Sequence, residues 1–334
     1  MKTAGIITFH GAHNFGSVLQ AFALQQTVRG LGLDAQIINF RTPVQKNMYA
    51  RVSERKINSP KALLRRILFS PHRRALDEKY DKFEDFIAHT LSCTEREYAS
   101  LGELTAQPPQ FDYYICGSDQ IWNRNCTDFD EAYFLPFVNN GKKIAYAPSF
   151  GPHAQIPADI ADRIGHFAAL STREEVASER LAQVTGRRVE TLPDPTLLLS
   201  AQQWQQYVGK PLIEGPYIYL YSPYFRPGLF EAAEVNPKRL PVVISNFMGL
   251  PSLFKKGLVR QFNTGPWDFL NLIYHADKVV SGSFHAAVFS VIFGKELCSP
   301  FAQTDDRIAN LLQHRDALEK ERLKGINFLK EQLC

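Results

Sequence analysis

The feature that most constrains the fold is a strand–turn–helix–strand pattern at the start of the chain. Residues 4–9 form the apolar run AGIITF, and the turn HGAHNFGS follows. Beyond it, apolar side chains recur at helical spacing until Gly30 and Gly32, and AQIINF (35–40) is then apolar again. A buried strand, a crossover helix and a second strand form the unit of a doubly wound parallel sheet.

The same alternation continues along the rest of the chain. The further strands that we predict lie at 111–117, 142–150, 215–224, 240–247 and 276–283. The further helices lie at about 157–169, 267–275 and 284–294. Strands that alternate with helices favour an α/β fold with open parallel sheets.

The length of the chain favours two domains. Its 334 residues exceed the usual size of a single core. We expect an N-terminal Rossmann-like domain over 1–205, a C-terminal one over 206–334, and a cleft between them. Residues 41–110 are charged and helical in period, which predicts a helical insertion beside the first sheet. The last helix is expected to pack back on the N-terminal domain.

The composition excludes several classes of protein. Hydrophobic residues make up 45% and charged residues 22%, as in ordinary globular proteins. A net charge of +4 suits an anionic substrate but is too small for a nucleic-acid-binding protein. The five cysteines show no zinc spacing, so we expect reduced cytosolic thiols and no metal. Without a signal peptide or an apolar run of roughly 20 residues, the expected location is the cytoplasm.

The insertion carries a cluster of basic side chains. These are Arg65, Arg66, His72, Arg73 and Arg74. Such a cluster can contact phosphate or an anionic membrane, although a solvated helix face is the commoner meaning.

The first turn, HGAHNFGS, is a candidate site because ligands of open α/β sheets bind beyond the carboxyl ends of strands. Asn14 and free backbone N–H groups can hold an acceptor hydroxyl or an anion. A polar turn without a ligand explains the spacing equally well. His10, His13 and His153 also lie near predicted strand ends, and nothing further assigns them a role.

A second candidate is CGSDQIWN (116–123), where a strand leads into Ser118, Asp119 and Gln120. A hydroxyl, a carboxylate and an amide together suit hydrogen bonding to a sugar, with Trp122 as a stacking face. Asp119 is the best candidate for a base in this segment. The alternative is an Asx-type turn with a buried tryptophan.

A third candidate is Arg173 in STREE (171–175). Its guanidinium can bind a carboxylate or a phosphate through two parallel contacts. Taken alone, an ion pair with Glu174 or Glu175 is the more common role for such an arginine.

A fourth candidate is the segment DKVVSGSFHAAVFSVIFGK, which predicts a strand, a Ser-Gly-Ser turn and a helix. His285 falls in the first turn of that helix, where unpaired N–H groups and the helix dipole favour an anion. Ser281 and Ser283 add donors, and Ala286 and Ala287 leave room for a ligand. A lone histidine in an apolar helix is usually structural, but this setting favours a functional role.

Several motifs are absent from the sequence. No G-x-G-x-x-G dinucleotide fingerprint follows the first strand, and no Walker A pattern occurs. The G-x-S-x-G elbow of Ser-His-Asp hydrolases is also missing.

Five segments in this order resemble the polysaccharide pyruvyl transferase family: NFGSVLQAFAL (14–24), GSDQIWN (117–123), STREE (171–175), DPTLLL (194–199) and ADKVVSGSFHAAVFSVIFGK (276–295). The resemblance implies two Rossmann-like domains in a glycosyltransferase-B-like arrangement. It also implies transfer of the enolpyruvyl group of phosphoenolpyruvate to two sugar hydroxyls, which gives a pyruvate ketal and phosphate. No cofactor besides this donor substrate is implied.

The resemblance also assigns roles to residues. The family histidine and arginine of the donor site correspond to His285 and Arg173. A basic residue that follows the histidine helix, often lysine in the family, corresponds to Arg307, which keeps the charge but not the geometry. The glycine that usually follows the family histidine is Ala286 here, which narrows the pocket.

The implied acceptor is a surface glycan or its lipid-linked precursor, which the basic insertion would meet at the inner membrane face. Two other functions fit the same residues. A glycosyltransferase that uses a nucleotide sugar would share the fold and the cleft. A non-catalytic glycan-binding component would share them too. The sequence does not decide among acceptor sugars, ketal stereochemistry or oligomeric states.

Overall fold

The first sheet contains four parallel strands from the N-terminal half of the chain. The computed structural model describes residues 1–54, 59–151 and 156–334. The strands of this sheet are Thr3–Ile7 (β1), Asp34–Ile37 (β2), Tyr113–Cys116 (β3) and Lys142–Ala145 (β4). They are ordered β2-β1-β3-β4, and each pairing is parallel.

The second sheet contains five parallel strands from the C-terminal half. A separate pair, Ser171–Thr172 (β5) and Glu190–Thr191 (β6), lies between the two sheets in the chain. The strands of the second sheet are Ile218–Tyr221 (β7), Val242–Ile244 (β8), Leu258–Arg260 (β9), Lys278–Ser281 (β10) and Glu296–Cys298 (β11). Their order is β11-β10-β7-β8-β9.

Helices connect the strands. In chain order they are Phe15–Gly30 (α1), Pro43–Tyr49 (α2), Pro60–Phe69 (α3), Arg73–His89 (α4), Leu101–Ala106 (α5), Ile160–Ile164 (α6), Glu175–Thr185 (α7), Ala201–Gln205 (α8), Leu229–Glu234 (α9), Pro251–Phe254 (α10), Pro266–Tyr274 (α11), Phe284–Ile292 (α12), Asp306–Gln313 (α13) and Leu318–Leu333 (α14). Short 3₁₀ helices lie at Ser70–His72, Glu131–Phe134, Pro195–Leu198 and Arg315–Ala317. No helix in the described part of the chain is both long and apolar enough to cross a membrane.

Most of the predicted alternation is confirmed. The structure has β1, α1 and β2 where the opening pattern predicts them. The helix predicted at 157–169 is only the five-residue α6. Strands β9 and β11 were not predicted, because each has only three residues beside charged neighbours.

Helix α1 is the centre of the molecule. It is buried on nearly all sides, polar residues such as Gln20 and Gln25 included, and it packs against both halves of the chain. The ring of Phe15 stacks on Phe269 of α11, with centroids 4.6 Å apart. Two buried glutamines of the helix donate hydrogen bonds from their side-chain amides to surrounding oxygens. Gln20, for example, donates to the Thr8 hydroxyl. The first turn of α1 therefore lies at the junction of the two sheets.

We expected the insertion to lie beside the first sheet, but its helix α4 also contacts the second half of the chain. Lys82 of α4 forms a 2.6 Å ion pair with Asp268 of α11, and Phe86 packs against Trp267. Helix α4 thus joins the two halves, because one face of it packs on α1 and α11.

The basic cluster of the insertion is partly neutralised within α4. Arg73 and Arg74 pair with Asp77 and Glu78, one turn further along. The side chain of Arg65 lies outside the described residues.

The last helix, α14, contacts the end of the first sheet. The Lys142 ammonium of β4 donates to the Gln332 carbonyl at 2.7 Å, and Tyr146 packs against Phe328. Gly325 permits this approach, because a Cβ there would lie 2.4 Å from the Tyr146 hydroxyl.

Candidate active site

His285 lies in the first turn of α12, at the carboxyl edge of the second sheet. Ser283 caps the helix by accepting from the Ala286 N–H at 3.4 Å. Ser281 accepts from the Ser283 N–H at 3.0 Å and donates to the Tyr221 carbonyl at 2.6 Å. The two serines, expected to bind the donor, therefore serve to build the turn that presents His285.

The imidazole of His285 is held between the two halves of the chain. A Cβ on Gly16, in the first turn of α1, would lie only 1.9 Å from the His285 Nδ1 atom. On the other side, Nε2 lies 3.4 Å from Oδ2 of Asp194, and it has no well-aligned hydrogen bond among the described residues. The glycine is therefore needed for the ring to approach α1.

Asp194 connects His285 to Arg173. The carboxylate is fully buried, and it accepts from Arg173 Nη1 at 2.8 Å and from the Thr196 hydroxyl at 2.7 Å. Burial alone raises the pKa of Asp194, but His285, Arg173 and Thr196 together lower it well below the usual range. Asp194 is thus an anion at neutral pH, and it contacts the side chains of both Arg173 and His285.

Arg173 pairs with Glu174, as the ion-pair alternative predicts, and also with Asp194, which the sequence did not predict. These two contacts do not use the whole guanidinium group. Its Nε lies 3.4 Å from Glu174 and its Nη1 contacts Asp194, whereas Nη2 is buried without a hydrogen-bond partner among the described residues. Burial lowers the pKa of Arg173, but Glu174, Asp194 and then Asp119 raise it above the usual range. Asp119 therefore lies close enough to act on this cluster.

Arg307 lies on the same side of the molecule as Arg173. Both guanidinium groups lie over the ring of Phe284, at 4.7 Å for Arg173 and 5.5 Å for Arg307. Arg307 forms a two-contact pair with Asp305, with distances of 2.9 and 2.8 Å.

These side chains border a cavity of about 600 Å³ between the two halves. Its walls include Arg173, Asp194, Phe284 and Arg307, and α13 and α14 complete them. His285 is not among the described lining residues, but its Nε2 lies 3.4 Å from Oδ2 of Asp194, which is one of them. The structure thus brings three of the predicted donor residues close together. Arg173 and His285 contact Asp194, and Arg173 and Arg307 lie over the ring of Phe284.

The turn after β3 uses most of its polar atoms internally. Ser118 is fully buried and donates to the Ala147 carbonyl at 2.6 Å. Trp122 is 1% exposed and stacks on Phe134 in the core. The expectation that these two residues contact a sugar is therefore wrong, and the buried-tryptophan alternative is correct.

Asp119 remains at the edge of the cleft. Its Oδ2 accepts from the Ser17 hydroxyl at 2.5 Å and its Oδ1 from the Gln120 N–H at 2.9 Å. Asn14 caps α1 by accepting from the Gly16 N–H at 3.0 Å. Asp119 and Asn14 thus both lie at the start of α1.

The acidic character of this edge extends to Asp128, which sequence reasoning missed. Burial and then the nearby charge of Asp119 raise the pKa of Asp128, although hydrogen bonds from its own backbone N–H and from Gln45 of α2 oppose the shift. Burial raises the pKa of Tyr224, which belongs to the second half of the chain, and the charges of both carboxylates raise it further. The acidic edge therefore faces the second half of the chain.

The other histidines have separate roles. His10 is fully buried beside the Thr8 carbonyl and Asn39, and burial lowers its pKa to about 4. His13 contacts Glu84 of α4 at 2.7 Å. His153 lies outside the described residues. His10 is therefore a core residue.

Asp194 is the principal residue that the sequence did not single out. It occurs within DPTLLL, where an aspartate before a proline reads as an ordinary helix cap, and it does cap Pro195–Leu198. Only the fold brings it to His285.

Comparisons with known proteins place these observations in context. A family model described as polysaccharide pyruvyl transferase matches residues 14–299. A search of curated proteins gives no match.

Solved structures resemble the fold at low sequence identity. A UDP-N-acetylglucosamine 2-epimerase is 11% identical with a TM-score of 0.51, over 98% of this chain and 90% of that one. The UDP-GlcNAc 2-epimerase of Methanocaldococcus jannaschii is 10% identical with a TM-score of 0.49, over 99% and 93%. The glycosyltransferase SnogD of Streptomyces nogalater is 12% identical with a TM-score of 0.41, over 99% and 96%. With the two parallel sheets, the first similarity confirms the predicted glycosyltransferase-B-like fold.

Proposed function

The chain belongs to the polysaccharide pyruvyl transferase family, and on this premise we propose that it transfers the enolpyruvyl group of phosphoenolpyruvate to two hydroxyls of a sugar. The products are a pyruvate ketal and phosphate. The observation that supports this proposal best is the cluster of His285, Arg173 and Asp194.

The charges of the cluster suit the proposed donor. Phosphoenolpyruvate carries a phosphate and a carboxylate, and guanidinium groups bind both anions. Arg173 has one N–H group without a partner among the described residues, and Arg307 shares the Phe284 ring with it. A buried cation stabilises developing negative charge on a leaving phosphate more strongly than an exposed one.

The reaction requires a proton on the methylene carbon of the donor. In the proposed mechanism His285 supplies that proton from Nε2, which lies 3.4 Å from Oδ2 of the cavity-lining Asp194 without a well-aligned hydrogen bond. Protonation turns the methylene into a methyl group and makes the neighbouring carbon electrophilic. One sugar hydroxyl forms a bond to that carbon and loses its proton. The second hydroxyl then forms the ketal as the carbon–oxygen bond to phosphate breaks, and its proton leaves with the phosphate.

Asp119 is the proposed base for the attacking hydroxyl. Ser17 and the Gln120 N–H orient the carboxylate, and each occupies only one lone pair of an oxygen. Its influence on Arg173 fits a position between donor and acceptor.

The proposed acceptor is a sugar of a surface glycan or of its lipid-linked precursor, reached from the cytoplasm at the inner membrane face. Helix α3 exposes Leu63, Leu64 and Ile67 beside Arg66. Apolar and basic side chains together favour an anionic membrane surface. Equal binding of the protein to anionic and neutral vesicles would remove this part of the proposal.

Ligand-induced stabilisation tests the donor. We expect phosphoenolpyruvate to raise the Tm of the wild type, and UDP- and GDP-sugars to leave it unchanged, because only a ligand of the folded state stabilises it. The His285→Asn variant should fold but lose most of the shift. Stabilisation by a nucleotide sugar alone would instead indicate a glycosyltransferase, and the role of His285 would then be rejected.

A further inference from the structure

Lys79 of α4 is the feature of the cleft that the proposed mechanism leaves unused. Its ammonium lies 4.7 Å from the centroid of the Phe15 ring, at the start of α1. It also reaches the second half of the chain, 3.3 Å from the Ser245 carbonyl and 3.5 Å from Oδ1 of Asn246. Lys79 therefore lies where the first turn of α1 meets the carboxyl end of β8.

The contacts of Lys79 are unlike those of the two arginines. Arg173 lies beside Asp194 and Glu174, and Arg307 pairs with Asp305. Among the described residues, no carboxylate forms an ion pair with Lys79. Its contacts are two neutral oxygens at the long end of hydrogen-bond distance. Lys79 is thus a cation of the cleft whose charge has not been neutralised by the protein.

The charge of the proposed donor favours such a cation. At neutral pH, phosphoenolpyruvate carries roughly three negative charges. The two arginines near Asp194 are each paired with acids of the protein, Arg173 with Asp194 and Glu174 and Arg307 with Asp305. A cation that lacks such a partner therefore adds to the attraction of a polyanion.

The surroundings of Lys79 offer further polar groups. Asn246 Nδ2 donates to the Ser222 carbonyl at 3.1 Å and to the Pro223 carbonyl at 3.3 Å, which fixes the amide so that its Oδ1 faces Lys79. The Ser222 hydroxyl, at the end of β7, is buried without a hydrogen-bond partner among the described residues. Burial lowers the pKa of Lys79 to about 8, as expected for a cation that lacks a counter-ion.

We propose that Lys79 and the Ser222 hydroxyl form a phosphate-binding subsite for one of the two substrates, and that Asn246 positions Lys79. The subsite rests on the proposed function, since it requires a phosphorylated substrate. Strand β8 is two positions from β10 in the sheet, which puts the subsite roughly 10 Å from the strand that presents His285. The phosphate therefore comes either from the donor or from a diphosphate that links the acceptor sugar to its carrier.

Binding of two probes to the wild type and three variants tests the proposal. The probes are phosphoenolpyruvate and inorganic pyrophosphate, and the variants are Lys79→Gln and Lys82→Gln, with Lys79→Arg to restore the charge. Lys82 is the matched control, because it lies on the same helix and also reaches the second half but pairs with Asp268. We expect Lys79→Gln to weaken one probe at least tenfold by calorimetry, Lys82→Gln to match the wild type, and Lys79→Arg to recover part of the loss.

The two probes identify the source of the phosphate. A loss confined to phosphoenolpyruvate assigns the subsite to the donor, and a loss confined to pyrophosphate assigns it to the carrier of the acceptor. Binding of both probes to Lys79→Gln with wild-type affinity would overturn the subsite and leave the proposed function intact. If phosphoenolpyruvate does not bind the wild type but pyrophosphate does so through Lys79, the proposed donor is wrong and the subsite stands. A wild type that binds neither probe overturns both.

Discussion

The turn after β3 and the turn after β10 occupy equivalent places in the two sheets, yet they differ in how they use their polar atoms. In the first, Ser118 and Trp122 are buried and bonded to protein groups. In the second, the Nε2 atom of His285 lies 3.4 Å from Oδ2 of Asp194 and lacks a well-aligned hydrogen bond. Both turns follow buried strands, so strand position alone does not distinguish them.

The difference indicates where a ligand is needed to complete the structure. Buried polar atoms without partners are costly, and native proteins keep few of them. The unpartnered atoms of Arg173 and His285 lie together beside the second turn, whereas beside the first turn the Asp119 carboxylate accepts from Ser17 and from the Gln120 N–H. The second turn is therefore the better candidate for binding an anion, and the first for supporting a reaction beside it.

The largest effect is expected from Asp194→Asn, which removes the negative charge that holds the second turn. Because Arg173 is then buried without this partner, the free energy of unfolding should fall by about 3–5 kcal/mol. The kcat of the proposed ketal formation should fall at least tenfold as His285 loses its orientation. Chemical denaturation and a phosphate-release assay measure the two effects.

Asp159→Asn is the control for that change. Asp159 also accepts from two arginines, Arg124 and Arg163, but its side chain is 44% exposed. Exposed pairs contribute about 0–1 kcal/mol, so this variant should stay near the wild type. Equal destabilisation by the two substitutions would contradict the structural role of Asp194.

A second prediction concerns the buried His10 in the first half of the chain. It is tested through the pH dependence of the free energy of unfolding. His10 has a pKa of about 4 in the folded protein, against about 6.5 when unfolded. Between these pH values the unfolded chain binds more protons than the folded one. The contribution of His10 to the free energy of unfolding is therefore fully present above pH 6.5 and is lost as the pH drops towards 4. The loss should reach about 3 kcal/mol.

His10→Gln should reduce this slope in denaturation curves measured from pH 7 to pH 4. His13, whose pKa is also lowered by burial, contributes in the same direction and is left in place. An unchanged slope in His10→Gln would show that His10 is not the buried neutral group on which the comparison relies.

A third prediction tests whether Asp119, in the turn after β3, takes part in the proposed reaction. Asp119→Asn should lower kcat about 100-fold, as expected for loss of a general base, with little change in the KM for phosphoenolpyruvate. Ser17→Ala removes the hydrogen bond to this carboxylate but leaves the charge, so its kcat should fall much less. If the two variants lose the same activity, Asp119 only supports the turn.

The sequence predicts the two turns better than it predicts the contacts between them. A polar, glycine-containing turn after an apolar run is a local pattern, and β1, α1, β10 and α12 follow it. The role of Asp194 depends on packing between distant segments, which no local pattern encodes. Lys79 was equally hidden, because a lysine among charged neighbours on α4 gives no sign of facing the cleft. The buried state of Trp122 was left open for the same reason.

The smallest effect is expected at Gly16, which joins the two regions of the comparison. The residue belongs to the first turn of α1, yet a Cβ there would overlap the imidazole of the second side, 1.9 Å from Nδ1. Gly16→Ala should therefore displace His285, weaken phosphoenolpyruvate binding about tenfold and cost about 1–3 kcal/mol of stability.

A double-mutant cycle separates this contact from a general effect on α1. In a His285→Ala background the imidazole is gone, so Gly16→Ala should lose almost no further stability and no further affinity. The same glycine substitution would then be costly in one background and nearly neutral in the other. Equal costs in both backgrounds would mean that the methyl group disturbs α1 itself, and that the two turns act independently.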